Sequence, residues 1–271
     1  RGLIENNELK KLKDLQNPSN TLEVNLVRVI KPEFKNNKYD YSVYNENSSN
    51  CLIPLEIIYR NTIPEHSSFR RRAQKGEINI EDYGLEKLPA TGTFLEKPIL
   101  DVSTKLEATD RYISWQEAKS IAALGDEEVD RALALLKKID RLITEEVKKA
   151  GLNNLDGKIE LAFDEERNLM VVDALGTPDE CRFSYNGFSI SKEAIRKYYR
   201  DSEWYQEVKK AKEDGNPGWK KAVSNPQPLP SEILELVSQL YMACANEITG
   251  RKWFKDVASF DEIKNRLIQI K

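Results

Sequence analysis

From Lys158 to Phe163 the chain alternates, with Ile159, Leu161 and Phe163 on one side and Asp156, Lys158, Glu160 and Ala162 on the other. A period of two predicts a half-buried β-strand. Leu169 to Ala174 is a second short apolar run, and the polar stretch Asp164 to Asn168 between them predicts a hairpin turn. Folded symmetrically about Glu166 and Arg167, that hairpin sets Glu160 directly opposite Asp173. Facing carboxylates repel, and a cation between them relieves the repulsion. Mg²⁺ takes oxygen ligands, commonly one or two carboxylates together with phosphate oxygens and water. The pair Glu160 and Asp173 is therefore a candidate Mg²⁺ site, with Lys158 on the same face as a point charge for phosphate. Spacing alone favours a plainer reading, a solvated strand face carrying ordinary surface acids.

Elsewhere the pattern predicts a short helix over Glu5 to Gln16, stopped by Asn17 to Asn20. Thr21 to Ile30 alternates and reads as a strand with Leu22, Val24, Leu26 and Ile30 on one face. Lys31 to Asn50 is polar and reads as an exposed hairpin or loop with no chemistry of its own. Cys51 to Arg60 is apolar and β-branched, a buried strand whose first half Pro54 assigns to an edge or a bulge. Glu56 stands out, because a carboxylate in such a strand is costly unless paired or functional. After the strand come Arg60, Asn61 and then Ser67, Ser68, Arg70, Arg71 and Arg72, a candidate phosphate cradle of guanidinium and hydroxyl donors. Arg71 and Arg72 fit a solvated basic helix face equally well, and His66, the single histidine, reads as plain surface.

Lys87 to Tyr112, with Pro89, Gly92 and Pro98, reads as several short extended pieces. Ser114 to Glu117 forms a capping box for a helix that Gly125 ends. A long helix follows from Asp126 to Ala150, with Val129, Leu133, Leu136, Ile139, Ile143 and Val147 on one face and Gly151 closing it. Further helices are expected over Lys192 to Arg200 behind a Ser191 cap, over Asp201 to Asp214, from Ser231 as cap to Thr249, and over Asp261 to Ile270. Gly215 to Gly218 reads as a turn and Asn225 to Pro230 as an extended connector. The Trp and Tyr side chains of this C-terminal half read as core.

Composition narrows the function classes. The 271 residues suffice for one large domain or two lobes with a sizeable core. Charged residues make up 32%, no apolar run is long enough to span a bilayer, and no signal peptide is visible. A net charge of -3 gives no electrostatic case for a nucleic-acid partner. Cys51, Cys181 and Cys244 are scattered and odd in number, which argues against a disulfide framework and points to a reducing, cytoplasmic setting.

Three separated segments carry a family resemblance that runs from about Asn20 to Gly250. LDGKIELAF followed by VDALGTPDECRF resembles the paired D-x-K-x-E and D-E-x-x-P-D-x-x-R motifs of SAICAR synthetase, the phosphoribosylaminoimidazole-succinocarboxamide synthase family. The matches are Asp156, Lys158 and Glu160, then Asp173, Pro178, Asp179 and Arg182. Ala174 stands where many members carry Glu, and the Asp173-to-Arg182 spacing is one residue longer than the commoner form. PLEIIYRN followed by SSFRRR is similar to the motif P-x-E-x-x-x-R-N, then G-S and a basic tail, through Pro54, Glu56, Arg60 and Asn61. The family Gly-Ser aligns with His66-Ser67 or with Ser67-Ser68. DVSTKLEATDR resembles a K-x-D/E-x-x-x-D segment through Lys105, Glu107 and Asp110, and GTPDE-x-RF followed by SKE resembles a longer, archaeal-type branch.

The resemblance implies an α+β fold, a mainly antiparallel sheet packed with helices, forming the larger lobe of a two-lobed ATP-binding architecture. It implies the ligation of L-aspartate to carboxyaminoimidazole ribotide (CAIR) with ATP, giving SAICAR, ADP and phosphate in purine biosynthesis. Glu160 and Asp173 would hold Mg²⁺ on ATP, and Lys105 and Lys158 would stabilise the transferring charge. Arg60, Ser67 or Ser68, and Arg182 would hold the ribotide, while Glu56, Asp156 and Asp179 would bind or orient its imidazole and amine. Small molecules are the expected partners, with neither nucleic acid nor membrane, and self-association is left open. The family's N-terminal nucleotide-covering segments are not found, so residues 1–20 are expected to be a remnant linking to that lobe and 21–271 the main domain. Two other readings stay open: a ribotide- or nucleotide-binding module without turnover, and an ATP-dependent ligase or kinase acting on another phosphorylated metabolite.

Overall fold

A computed structural model describes residues 2–65, 67–214 and 218–270, so His66 and most of the expected turn at Gly215 to Gly218 lie outside the described residues. The chain opens with a hairpin, β1 (Gly2–Glu5) and β2 (Glu8–Lys10), where a helix was expected. Asn6 and Asn7 both take positive φ, 51° and 63°, the twist that a two-residue hairpin turn requires and that Asn tolerates. The Glu5 carboxylate then accepts the backbone amides of Gln16 and Asn17, and only a single 3₁₀ turn forms, at Leu12–Asp14. The strand expected over Thr21 to Ile30 shrinks to β3 (Leu22–Glu23) and one bridge from Arg28 to Cys51. Of its apolar face, Ile30 packs against the core while Leu22, Val24 and Leu26 are exposed, Leu26 by 85%. The exposed hairpin expected in 31–50 is present as β4 (Glu33–Lys35) and β5 (Lys38–Asp40), again turned by two left-handed asparagines, Asn36 and Asn37.

Next come β6 (Cys51–Thr62), α1 (Ser68–Gln74) and β7 (Phe94–Thr104). β7 runs through Pro98 as one strand rather than several pieces, with its register against β6 shifting between Arg60 and Thr62. α2 (Trp115–Ile121) starts on the Ser114 side chain, and α3 (Asp126–Lys149) follows, with Gly151 beyond its end at φ 71°. Then come β8 (Asn153–Phe163), β9 (Leu169–Val172), β10 (Cys181–Tyr185) and β11 (Phe188–Ile190). The main sheet has the order β11-β10-β8-β6-β7, all antiparallel, with β9 also paired to β8. Pro54 sits at a bulge of a central strand, where the β6–β8 register shifts between Leu52 and Glu56.

Alternation sorts the two central strands into two faces. Cys51, Ile53, Leu55, Ile57 and Tyr59 of β6 join Ile159, Leu161 and Phe163 of β8 in a core closed by Leu136 and Ile139 of α3 and Ala118 and Ile121 of α2. At about 1.5–3 kcal/mol for each large aliphatic side chain buried, this face holds the sheet to its helices. The opposite face carries Glu56, Ile58 and Arg60 of β6 with Asp156, Lys158 and Glu160 of β8. β8 is therefore not half-buried with a solvated polar side: Glu160 and Asp156 are both 5% exposed. Gly157 is required opposite Tyr59, because a Cβ there would lie 2.3 Å from the Tyr59 hydroxyl.

The C-terminal helices are α4 (Glu193–Arg200), α5 (Glu203–Glu213), α6 (Trp219–Ala222), α7 (Ser231–Thr249) and α8 (Phe260–Gln269). Ser231 is the first residue of α7 rather than its cap, and α8 is capped by Ser259 with Glu262. Leu240, Ala243 and Cys244 of α7 pack with Phe260 and Ile263 of α8 against Cys181, Phe183 and Ile190. The aromatic side chains of α4 and α5 are not core as expected. Tyr198 and Tyr205 are exposed, and Tyr199 and Trp204 meet edge to face while their polar ends tie down the backbone at Gln227 and Ser224. All three cysteines are free and buried, and no helix among the described residues is long and apolar enough to cross a membrane.

Candidate active site

One edge of β8 changes partner partway along. Asn153 to Gly157 pairs with β10, and Glu160 to Phe163 pairs with β9. Between them the chain leaves the sheet for residues 173–180, and the Lys158 amide donates to the Glu180 carbonyl at 3.0 Å. That excursion hangs Asp173 and Glu180 beside the polar face of β8. The hairpin register differs by one residue from expectation: Glu160 faces Val172, not Asp173. The turn centres on Glu166, with Arg167 left-handed at φ 61°, so β9 ends one residue before Asp173. Asp173 itself is left-handed, φ 65°, which turns its carboxylate back toward Glu160. Oxygens of Glu160, Asp173 and Glu180 all lie within 4.8 Å of one another.

Two ammonium groups bind this acidic set together. Lys105 reaches Glu56 at 3.1 Å and Glu160 at 2.5 Å. Lys158 reaches Glu56 at 2.7 Å, Glu160 at 2.9 Å and Glu180 at 2.8 Å. Burial alone would lower the pKa of Lys158, but its hydrogen bonds to Glu180, Glu56 and Glu160 outweigh that and hold it well above the usual ammonium range. Lys105 is raised for the same reasons, burial opposing and Glu160 prevailing. Partial burial would raise the Asp173 carboxyl, yet the Ala174 amide, Glu160 and the two lysines hold it below the usual carboxylate range. Asp110 lines the same cleft, and burial, aided by repulsion from Glu56, pushes its pKa up.

The cleft has a volume of about 290 Å³ and a second, arginine-lined end. Arg182 grips Asp156 with two contacts, Nε to Oδ1 at 2.7 Å and Nη2 to Oδ2 at 2.6 Å. Arg60, 2% exposed, donates to Asp101 at 3.2 Å and to Ser68 at 3.0 Å. Lys192 and Arg196 of the 191–196 segment line the same end.

The sequence-picked residues Glu56, Arg60, Asp156, Lys158, Asp179 and Arg182 all line the cleft, and Lys105, Glu160 and Asp173 adjoin it through the contacts above. Ser67 and Ser68 separate in role. Ser67 is buried and accepts the Arg70 amide as the cap of α1, whereas Ser68 stands beside the Arg60 guanidinium. Asp179 accepts a hydrogen bond from Tyr241 at 2.8 Å. Glu107 is taken up by Arg111 and Tyr41 and is not among the cleft residues. Arg70 ties the carbonyls of Ile63 and Pro89, Arg71 is exposed, and Arg72 is 8% exposed, which rules out a solvated face at that position. Sequence reasoning missed Glu180, Asp101, Tyr112, Lys192 and Arg196. Glu180 was visible between Asp179 and Arg182, but at a position the motif leaves open.

The site's sequence context agrees with known proteins. The family model for SAICAR synthetase matches residues 35–212. A curated relative from Archaeoglobus fulgidus, provisionally named phosphoribosylaminoimidazole-succinocarboxamide synthase, is 54% identical over 269 residues, which is 99% of this chain and 79% of the relative. The solved SAICAR synthase of Saccharomyces cerevisiae, complexed with SAICAR, superposes with a TM-score of 0.54 at 25% identity, over 74% of this chain and 62% of that one. A SAICAR synthetase solved in complex with ADP shares the fold, with a TM-score of 0.50 at 20% identity over 74% of this chain and 65% of that one. This chain spans less than two thirds of either solved protein. With two thirds of its residues under the family model and 54% identity to a curated relative over 99% of its own length, this chain belongs to the SAICAR synthetase family.

Proposed function

We propose that this chain ligates L-aspartate to CAIR with ATP, releasing SAICAR, ADP and phosphate. Family membership supports the reaction class, and the observation that carries the reading is the cleft's division into an acidic, lysine-bridged end and an arginine-lined end within one site. A nucleotide's metal-bound phosphates suit the first and a ribotide phosphate suits the second. The ADP and SAICAR in the two solved relatives are of these kinds.

Glu160 and Asp173, joined by Glu180, would hold Mg²⁺, since an all-oxygen donor set fits a hard divalent cation and offers no soft ligand. When bound, the ion would neutralise charge on the ATP phosphates. The protein's own groups position and screen. Lys105 and Lys158, kept protonated by their carboxylate neighbours, stand where negative charge passes from ATP to the ribotide carboxylate. Arg60, Ser68 and Arg182 hold the ribotide phosphate, with Asp101 and Asp156 fixing the two guanidiniums. Glu56, Asp156 and Asp179 face the imidazole and the incoming amine. A ribotide carboxylate oxygen takes the γ-phosphoryl group and ADP leaves. The aspartate nitrogen then attacks the activated carbonyl and phosphate leaves, so proximity and charge neutralisation do the work without a protein nucleophile. The cytoplasm is the setting this reading requires.

A coupled ADP-release assay with each of the three substrates omitted in turn tests the proposal. Release that depends on all three is expected. Release indifferent to ribotide or aspartate would point to another ATP-dependent reaction, and ribotide binding without release would leave a binding module.

A further inference from the structure

Asp101 lies on β7, with its side chain 1% exposed, and its two oxygens are unequally used. Oδ1 accepts the Val102 amide at 3.2 Å. Oδ2 alone receives two guanidiniums, that of Arg60 and that of Arg72, so one buried carboxylate is divided between two permanent cations. Arg72 also stacks on the Tyr112 ring, its guanidinium carbon 4.1 Å from the centroid, while Arg60 approaches the same ring at 5.8 Å. Tyr112 and Arg60 line the cleft, whereas Arg72 is not among its lining residues. The Nε of Arg72 is buried with no partner among the described residues.

We infer that Arg72 is a positioning residue for ribotide recognition, drawing on Asp101 so that Arg60 is aimed but not neutralised. A buried guanidinium paired one-to-one with a buried carboxylate has little charge left for a ligand. A carboxylate already engaged by a second guanidinium orients Arg60 through its hydrogen bonds yet leaves the pair of arginines one positive charge in excess. That excess lies where field lines are poorly screened, and the face of Arg60 that opens to the cleft is its outlet. Tyr112 fixes the second guanidinium by stacking, so Asp101 cannot swing wholly to Arg60. The inference rests on the proposed placement of the ribotide phosphate at Arg60.

The test compares wild type, Arg72→Met and Arg72→Lys in steady-state kinetics, with calorimetric titration of CAIR and thermal melts alongside. Arg72→Met is expected to raise the KM for CAIR about tenfold, the scale of one charge-assisted contact, while kcat and the KM for ATP stay within about threefold. Arg72→Lys keeps a cation on Asp101 and is expected to recover most of the loss. If Arg72→Met does not fold, Arg72→Lys carries the test alone: it keeps a cation for Asp101 but loses the planar stack on Tyr112, so a KM for CAIR raised measurably but by less than about tenfold is expected, and a wild-type KM overturns the inference. Unchanged CAIR affinity in a folded Arg72→Met overturns the inference. So does a fall in kcat together with a rise in both KM values and a lowered Tm, which is general loosening, and so does a large CAIR defect in Arg72→Lys at unchanged Tm. Wild type that turns over or binds ATP but fails to bind CAIR removes the placement of the ribotide itself, a result distinct from the others.

Discussion

The two ends of the cleft hold charge by opposite means. At the acidic end, two flexible ammonium groups are shared among Glu56, Glu160 and Glu180, with Asp173 close by, and four carboxylates outnumber two lysines. At the other end, planar guanidiniums are locked on single carboxylates, Arg182 on Asp156 and the Arg60–Arg72 pair on Asp101, and three arginines outnumber two acids. A surplus of negative charge suits a divalent cation, and a fixed surplus of positive charge suits a phosphate held in one pose. Lysines, as point charges on long stems, can follow charge that moves during a reaction, whereas forked arginines hold a group that must stay still.

The largest effect is expected from Lys158→Met, which removes a cation that touches three carboxylates. ADP release should fall by about a hundredfold to a thousandfold, the range seen when a preorganised charge-stabilising donor is deleted. Stability should fall too, because three partly buried acids lose a partner, and a melt alongside the rate assay separates the two. A rate within tenfold of wild type would mean the acidic end does not carry the chemistry.

Asp173→Asn should come next. Asp173 is exposed, so the fold should hold while Mg·ATP binding weakens by at least about tenfold, the scale on which even residues behind a metal's ligands act. Calorimetry showing equal Mg·ATP affinity in variant and parent would dissociate this carboxylate from the cation. At the arginine end, Arg60→Ala should raise the KM for CAIR by about tenfold and leave the KM for ATP nearly unchanged. Equal rises in both would show that the two ends of the cleft do not act separately.

These contrasts were partly legible in the sequence. Periodicity correctly placed the apolar face of β8 and the buried strand β6, because a period of two survives any packing around it. It could not say whether a partner covers a face: the alternation from Leu22 to Ile30 is as regular as that of β8, yet Leu26 is 85% exposed. It also read the polar side of β8 as half-exposed, since a cleft between β8, the 173–180 excursion and α4 depends on contacts distant in sequence. The site acids converge although the hairpin register was one residue off, because the left-handed Asp173 swings back. Asn6-Asn7 was a hairpin turn hidden inside an apparent helix pattern, since local turn chemistry overrode a weak 3.6-residue period. Asp101 could not be found from spacing, and Arg72 was picked only as one of three cradle arginines, because what matters is that Asp101 meets both Arg60 and Arg72.

The smallest effect, on stability alone, should come from beneath the arginine end. Asp140 of α3 is 7% exposed and its Oδ1 accepts from Asn61 at 2.8 Å, Asn154 at 3.1 Å and Thr144 at 3.3 Å, bracing the residues next to Arg60 and Asp156. Burial pushes its pKa up, with Asn61 and Thr144 opposing. A carboxyl whose folded pKa exceeds its unfolded value binds more protons in the native state, so stability falls as pH rises from the unfolded value through the folded one. Asp140→Asn keeps an acceptor oxygen in place and carries no charge. Its stability relative to wild type should therefore improve as pH rises from about 4 toward 7, the direction set by the buried carboxyl's linkage, while kcat and both KM values stay close to wild type. Urea melts of both proteins across that range decide it. Parallel pH profiles would show that Asp140 is not held protonated by burial, and a parallel loss of CAIR affinity would make the brace part of the ribotide site.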